Sequence, residues 1–585
     1  MRNLIFIIFL ILPLNIQASE VEVIELHENK SLDQMVLDQI STDQEISNEL
    51  KDENQKIAEE EAVSENSLAT NENLDEEVEI KKNLWSEINH SFLEKVIINA
   101  TDIKSQTLQN EFNKYLSDLN LDFEDKKNRE MYFLIIKYFY QIGELSKAYK
   151  LINSGDFTNH ENLSYYQYLK INYLLSTFQL EDVCNFKDEA VQELNTKSNF
   201  LDKVEIFCLI IQNKKLEADL LNSIMLETQI KNDEYYQDLY LYLTNNDDES
   251  NIQKSFNANI QIDSDLLFLY SAMSRIAELP LNAKFLDLDP SNMAIPIILN
   301  RSSPIDLRIN AANQSYLDKK ISIESLAALY QSVDFTSDQL NNYEDTILEF
   351  SGNNEILMSF YFQLVNIQIF PSERLDSLIK FWEFAKINNL EDIAYALSFK
   401  IVDSIEITSD YLKYSPKIAI SYIYNEDYDK ATQWIEFYET VNGIDDESVF
   451  VRLLLSLYST NDVNSLIEII NSNFDKLNNK NDELIFVIYD ILESSQDKVL
   501  IEDFNKIYDE RLMPAIFISE NIKMAIEEKN NTNFLLYSIV SLNNKEWKDI
   551  HPNHLQLILR GYLNFNNGEL IKNIIIEIFK NYKIL

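Results

Sequence analysis

From Trp85 onward the apolar residues fall at helical spacing. Leu375, Leu378, Ile379, Trp382 and Ala385 stand at i, i+3, i+4, i+7 and i+10, which is one face of a helix. Ser372, after Pro371, is the expected N-cap of that helix, its hydroxyl accepting a free first-turn N–H. Similar stripes recur down the chain, separated by short clusters of Asn, Asp, Lys and Ser. Such short connections favour antiparallel neighbours. The first apolar residues after the turns in the C-terminal part are Tyr428, Val463, Val499, Phe534 and Leu570, at intervals of 35, 36, 35 and 36. Leu390 lies 38 before Tyr428, and Leu145, Leu180 and Leu216 are 35 and 36 apart. A fixed spacing of this size predicts an all-α solenoid of antiparallel helix hairpins, each needing a neighbour to cover its apolar face. Independent helices with a chance rhythm are the alternative.

Two segments carry more than the rhythm. Phe139-Tyr140-Gln141-Ile142-Gly143-Glu144-Leu145-Ser146-Lys147-Ala148 resembles the tetratricopeptide repeat, with its Gly turn and its second-helix alanine. Tyr422-Ile423-Tyr424-Asn425-Glu426-Asp427-Tyr428-Asp429-Lys430-Ala431 matches it too, with Glu426 in place of the turn glycine. The resemblance implies that Ala148 and Ala431 allow close helix approach while Leu145 and Tyr428 fill the cleft between paired helices. Asn567-Gly568-Glu569-Leu570 repeats the turn, but Asn573 stands where alanine is expected.

The middle interrupts the pattern. Pro280, Pro290, Pro296 and Pro304 are four of the nine prolines, and proline lacks an N–H and clashes with the preceding turn. Ser303-Pro304 reads as an N-cap and first helical position, opening a helix through Tyr316. Residues 280–340 are therefore read as a joint between an N-terminal arm, 83–279, and a C-terminal arm, 341–585, with an irregular repeat as the alternative. This stretch, with Cys184 and Phe207-Cys208, also resembles a family of exported alphaproteobacterial proteins, some labelled antifreeze-glycopeptide-like. That resemblance implies no activity, and the scattered threonines do not form an ice-binding array.

The start of the chain differs from the rest. Met1-Arg2-Asn3 precedes the apolar run Leu4 to Leu14, which as a helix spans only ~16 Å, too short for a bilayer. Ile16-Gln17-Ala18 supplies a small-residue cleavage site, so 1–18 reads as a secretory signal peptide and the mature protein as periplasmic; a retained anchor is the alternative. Residues 19–82 hold 20 acidic and 5 basic side chains and no Phe, Tyr or Trp. Like-charge repulsion and low apolar content predict a disordered acidic linker, read as a solvated spacer or as an arm that folds on a basic partner.

Composition then narrows the function. The 585 residues carry a formal net charge of −47 and only six glycines. That excludes phosphate-backbone recognition, which needs clustered Lys and Arg, and removes the glycine-rich turns of a doubly wound enzyme. Neither a GxSxG elbow nor a P-loop occurs. No later segment is long and apolar enough for an integral span. His551 and His554 form the only histidine cluster, read as a turn before a helix rather than a metal site. Cys184 and Cys208 each lie 12 residues from a turn near Thr196, which sets them at one height on antiparallel helices. A structural disulfide is expected, contributing about 3 kcal/mol by loop-closure entropy; unpaired thiols and redox chemistry are the alternatives. Tyr165-Tyr166-Gln167-Tyr168 and Tyr411-Leu412-Lys413-Tyr414 place some rings off the main stripe, for packing between repeats or for a peptide-holding face.

The expected function is a non-enzymatic, cofactor-free scaffold that binds a protein or peptide, with acidic charge favouring basic partners. The rival is a hydrolase of envelope glycans with a concealed carboxylate. Soluble lytic transglycosylases are similar in joining an exported helical superhelix to a catalytic domain. Residues 500–585, with only Gly561 and Gly568, continue the repeat where such a domain would stand.

Overall fold

The computed structural model describes residues 90–119, 126–155, 161–194, 199–228, 233–244, 261–460, 468, 510–565 and 567–582. The signal peptide and acidic linker read at 1–82 lie outside them, as do Thr196, Val463 and Val499. Among the described residues there are 26 α-helices packed against their neighbours and no strand. A β-bridge joins Leu512 to Ile550. No described helix is long and apolar enough to cross a membrane.

One turn recurs along the chain. Its central residue has a left-handed backbone, and the next N–H reaches back to a carbonyl in the last turn of the preceding helix, which is the Schellman closure. Gly143, Phe178 and Asn213 occupy the centre at steps of 35 residues, with φ of 81°, 59° and 59°. Their closing bonds are Glu144 N–H to Phe139 O at 2.8 Å, Gln179 N–H to Leu174 O at 2.9 Å, and Lys214 N–H to Leu209 O at 2.8 Å. Asn389, Glu426 and Lys529 repeat the turn further on, closed by the N–H groups of Leu390, Asp427 and Asn530. The conformation that glycine adopts freely is thus imposed mostly on residues with a side chain.

Where the next helix starts, a short polar side chain takes up a first-turn N–H. Asp427 accepts from Lys430, Asn530 from Asn533 and Asn567 from Leu570. Three expected starts shift. Pro371 is itself the first residue of the Pro371–Ile387 helix, so Phe370 holds the cap position and Ser372 lies inside. Proline's fixed φ suits that first position and its missing N–H costs nothing there. Pro304 likewise precedes Ile305–Leu317 as its cap residue, and Ser303 turns away to accept the Leu281 N–H at 2.9 Å. Gly568 opens the last helix, because the Asn567 side chain caps it there, and is not a left-handed turn residue.

The Leu375 stripe faces inward, with Leu375, Leu378 and Ala385 fully buried. A single apolar core runs from Ile171 through Leu281, Ile297 and Leu326 to Leu455, and so passes without a break through the proline-rich middle. Pro290 opens the Pro290–Leu299 helix, and Pro296 sits within it, buried. Two further cores join the ends of the chain. Leu108 is buried with Ile522, Phe534 and Ile574, while Leu536 and Ile539 are buried with Leu93 and Ile136. Polar contacts fasten the same junction: the Glu577 carboxylate accepts from the Ser105 hydroxyl and the Gln106 N–H, both at 2.9 Å, at the start of the Gln106–Ser117 helix.

Gly143 is constrained twice, by its backbone and by its neighbours. A Cβ there would lie 2.4 Å from the Ser291 carbonyl oxygen. Gly143→Ala should therefore cost about 2–3 kcal/mol in urea unfolding, whereas Glu426→Gly should gain about 0.5–1 kcal/mol by relieving the left-handed turn. Equal midpoints for both variants and the wild type would show that the turn geometry carries no strain.

Candidate functional site: an acidic cleft beside a buried lysine

Three elements converge on one cleft. The Asn199–Ile211 helix supplies Asn199 and Lys203, and Glu234–Thr244 presents Glu234 with its cap residue Asp233. The approach to Leu267–Ile276 supplies Gln261, Asp263 and Ser264. The space between them is about 610 Å³.

Lys203 forms the inner wall and is only 1% exposed. A buried ammonium is tolerated only when it is paired and its donors are satisfied. Asp233 is that partner, in direct ion-pair contact. The ammonium also lies 5.0 Å from the centre of the Tyr236 ring, whose hydroxyl donates to the Lys203 carbonyl at 3.2 Å. Asp233 is engaged on both oxygens. Oδ2 receives the Lys203 ammonium and the Tyr270 hydroxyl, the latter at 2.6 Å, and Oδ1 receives the Tyr236 N–H at 3.1 Å. Burial, and then the Asp233 charge, push the Tyr270 phenol well above its ordinary pKa. Burial does the same to Tyr236. Both phenols therefore remain protonated donors.

This arrangement sets the chemistry. Both Asp233 oxygens are occupied by donors, and the Lys203 ammonium is held in the ion pair, so neither group is open to a ligand. With Lys203 neutralised by Asp233, the remaining charges among the described residues that line the cleft are the carboxylates of Glu234 and Asp263. The cleft thus presents net negative charge and polar amide and hydroxyl groups, the complement of an ammonium or guanidinium. On its flank stands an aromatic shelf. Phe200 packs edge-on to Tyr168 at 4.9 Å, Tyr165 lies 6.1 Å from Tyr168, and the Tyr168 hydroxyl donates to the Asp265 carbonyl.

Other residues singled out from the sequence lie elsewhere. Cys184 and Cys208 form a disulfide between the Leu180–Leu194 and Asn199–Ile211 helices, with Cα atoms 5.6 Å apart, on the same hairpin as Lys203. Ala148 and Ala431 are buried at helix contacts, and Leu145 and Tyr428 pack half-buried against the main core. Asp427 caps the Tyr428–Asn442 helix. None of the turn residues reaches the cleft. The Tyr411–Tyr414 run forms a short 3-10 turn whose Tyr414 hydroxyl contacts Asp376 at 2.5 Å. His551 caps the Pro552–Asn564 helix, and His554 is buried with Nε2 2.8 Å from the Ser541 hydroxyl. No group of three or more metal-ligating side chains is found among the described residues.

Lys203, Asp233 and Tyr270 were not legible as a set. The only sequence signal is Asp233 ahead of a helical aromatic run, which announces a cap and says nothing of a lysine 30 residues earlier. No protein-family model, no curated protein and no solved structure matches the chain.

Removing one member of the buried pair should cost more than removing both. Asp233→Ala is expected to lose about 3–5 kcal/mol in urea unfolding, and Lys203→Met in the same chain should restore most of it. Additive losses would mean that the pair is not coupled. His554 gives a pH test. Burial, foremost, lowers its pKa to about 4, so the folded state holds it neutral while the unfolded chain, near 6.5, takes up a proton first. Its contribution is intact above pH 6.5 and is lost as pH falls towards 4. Wild type should lose about 2–3 kcal/mol more than His554→Leu between pH 7 and 4, and parallel pH profiles would rule the linkage out.

Proposed function

We propose that the protein is an exported scaffold, an α-solenoid of tetratricopeptide-like hairpins behind a cleaved signal peptide and an acidic linker, which binds a basic segment of another protein or peptide in the periplasm. The observation that carries this reading is the cleft in which Glu234 and Asp263 line open space while Lys203, the lysine among its described lining residues, is already neutralised by Asp233. The chain's charge of −47 adds long-range attraction for cations, and the recurrent 35-residue turn supports a repeat that presents an extended face. A lysine or arginine side chain would enter the cleft, with its flanking residues laid on the Tyr165, Tyr168 and Phe200 shelf. Aromatic rings offer such contact area at little entropic cost.

A hydrolase of envelope glycans is the second reading, and one observation favours it. Burial raises the pKa of the Asp289 carboxyl, as a general acid requires. That carboxylate, however, is occupied as the cap of the Pro290–Leu299 helix, accepting from the Asn292 N–H at 3.1 Å and from its side-chain amide.

Anisotropy with a fluorescein-labelled Arg/Lys peptide tests the scaffold reading. Glu234→Gln/Asp263→Asn should weaken binding about tenfold at 50 mM NaCl, and wild-type affinity should fall as salt rises to 300 mM. Unchanged affinity in the double variant would remove the cleft from the recognition surface.

A further inference from the structure

The last described helix, Gly568–Asn581, carries Lys580 into a notch built from three other helices. Glu391–Asp403 contributes Glu391, Asp392 and Tyr395, and the end of Ser415–Tyr424 contributes Tyr424. Tyr458, from Asp446–Ser459, closes the far side. The Lys580 ammonium donates to both oxygens of Asp392, at 3.0 and 3.2 Å, and lies 5.1 Å from the centre of the Tyr424 ring. The Tyr424 ring is flanked by Tyr395 at 4.8 Å and Tyr458 at 5.6 Å. Oε2 of Glu391, at the same site, is buried and has no hydrogen-bond partner among the described residues. Aromatic faces around a carboxylate are the chemistry that recognises an alkylammonium.

Two features separate the fate of the side chain from that of its helix. Ser105 and Gln106 hold Glu577, and Ile574, Ile575, Ile578 and Phe579 are buried, so the helix is fixed independently of Lys580. The Lys580 side chain is 36% exposed and Asp392 44%, so among the described residues the ion pair reaches solvent. Partly exposed ion pairs of this kind are weak and exchange readily.

We propose that this notch is a second cation site, specific for a lysine side chain of a basic partner, and that Lys580 occupies it as an internal competitor. The inference rests on the reading of a basic partner, and it adds a contact remote in sequence from the cleft. A partner lysine takes the place of Lys580 on Asp392 and Tyr424, gains the vacant Glu391 oxygen, and leaves the last helix seated.

Binding of fluorescein-labelled hexalysine to the full-length chain at 150 mM NaCl, read by anisotropy, tests it. Lys580→Ala should bind about fivefold tighter than wild type. Asp392→Asn added to Lys580→Ala should abolish the gain. Lys417→Ala removes a comparably exposed lysine, one paired with Glu383, and should bind as wild type does. Circular dichroism on each variant checks that the fold is kept, and Lys580→Ser repeats the test if the alanine variant is impaired. No gain on removing Lys580, or the same gain on removing Lys417, would overturn the notch. A gain with Lys580→Ala while Glu234→Gln/Asp263→Asn changes nothing would support the notch and defeat the cleft. Loss in the cleft variant with no gain at Lys580 would do the reverse.

Discussion

Everything in this fold hangs on how one helix gives way to the next. A helix ends with unsatisfied carbonyls, and a bond from just beyond a left-handed residue closes them while reversing the chain. After three intervening residues the following helix begins, as at Gln141 to Leu145, Ser176 to Leu180 and Tyr424 to Tyr428. The same reversal recurs along the chain, and the described helices pack against their neighbours. The main apolar core that this packing builds runs from Ile171 to Leu455.

Charge is handled separately from burial. A body with a large acidic excess is held together by its apolar core, and two of its buried lysines are each matched by a carboxylate. Lys203 meets Asp233 and Lys187 meets Glu205, both on the hairpin that the disulfide also ties. Such pairs contribute little net stability against an apolar alternative, but they penalise any arrangement that separates them. The cleft inherits its sign from this matching: once Lys203 is cancelled, the charges left among its described lining residues are carboxylates.

Much of the architecture was legible in the chain. Period and amphipathic stripe gave the helices, and the positions of Leu145, Leu180 and Tyr428 coincide with helix starts. The turn residues were harder to read, since Phe178, Glu278, Lys319, Glu426 and Lys529 adopt the left-handed conformation without being glycine. Their backbone cost is offset by the helix-closing hydrogen bond that the next N–H makes in each case. Cap positions slipped by one or two residues at Pro371, Pro304 and Gly568, because proline and a capping amide each relocate the first turn. The cleft and the Lys580 notch were illegible for a different reason. Each gathers residues from helices distant in sequence, and a lysine that will be buried looks like any other lysine until its partner is placed.

The junction between the two ends also governs the order in which the molecule can assemble. Glu577 completes the cap of a helix that begins at Gln106, more than 450 residues earlier. Most contacts along the main core are between neighbours and form quickly, but this one is of very high contact order and bears the loop-closure entropy of almost the whole chain. The amino-terminal helices therefore reach their final state only after the carboxyl terminus has been synthesised. Until that contact forms, the Gln106–Ser117 helix lacks the carboxylate at its first turn, so this junction is the last part of the molecule to be secured.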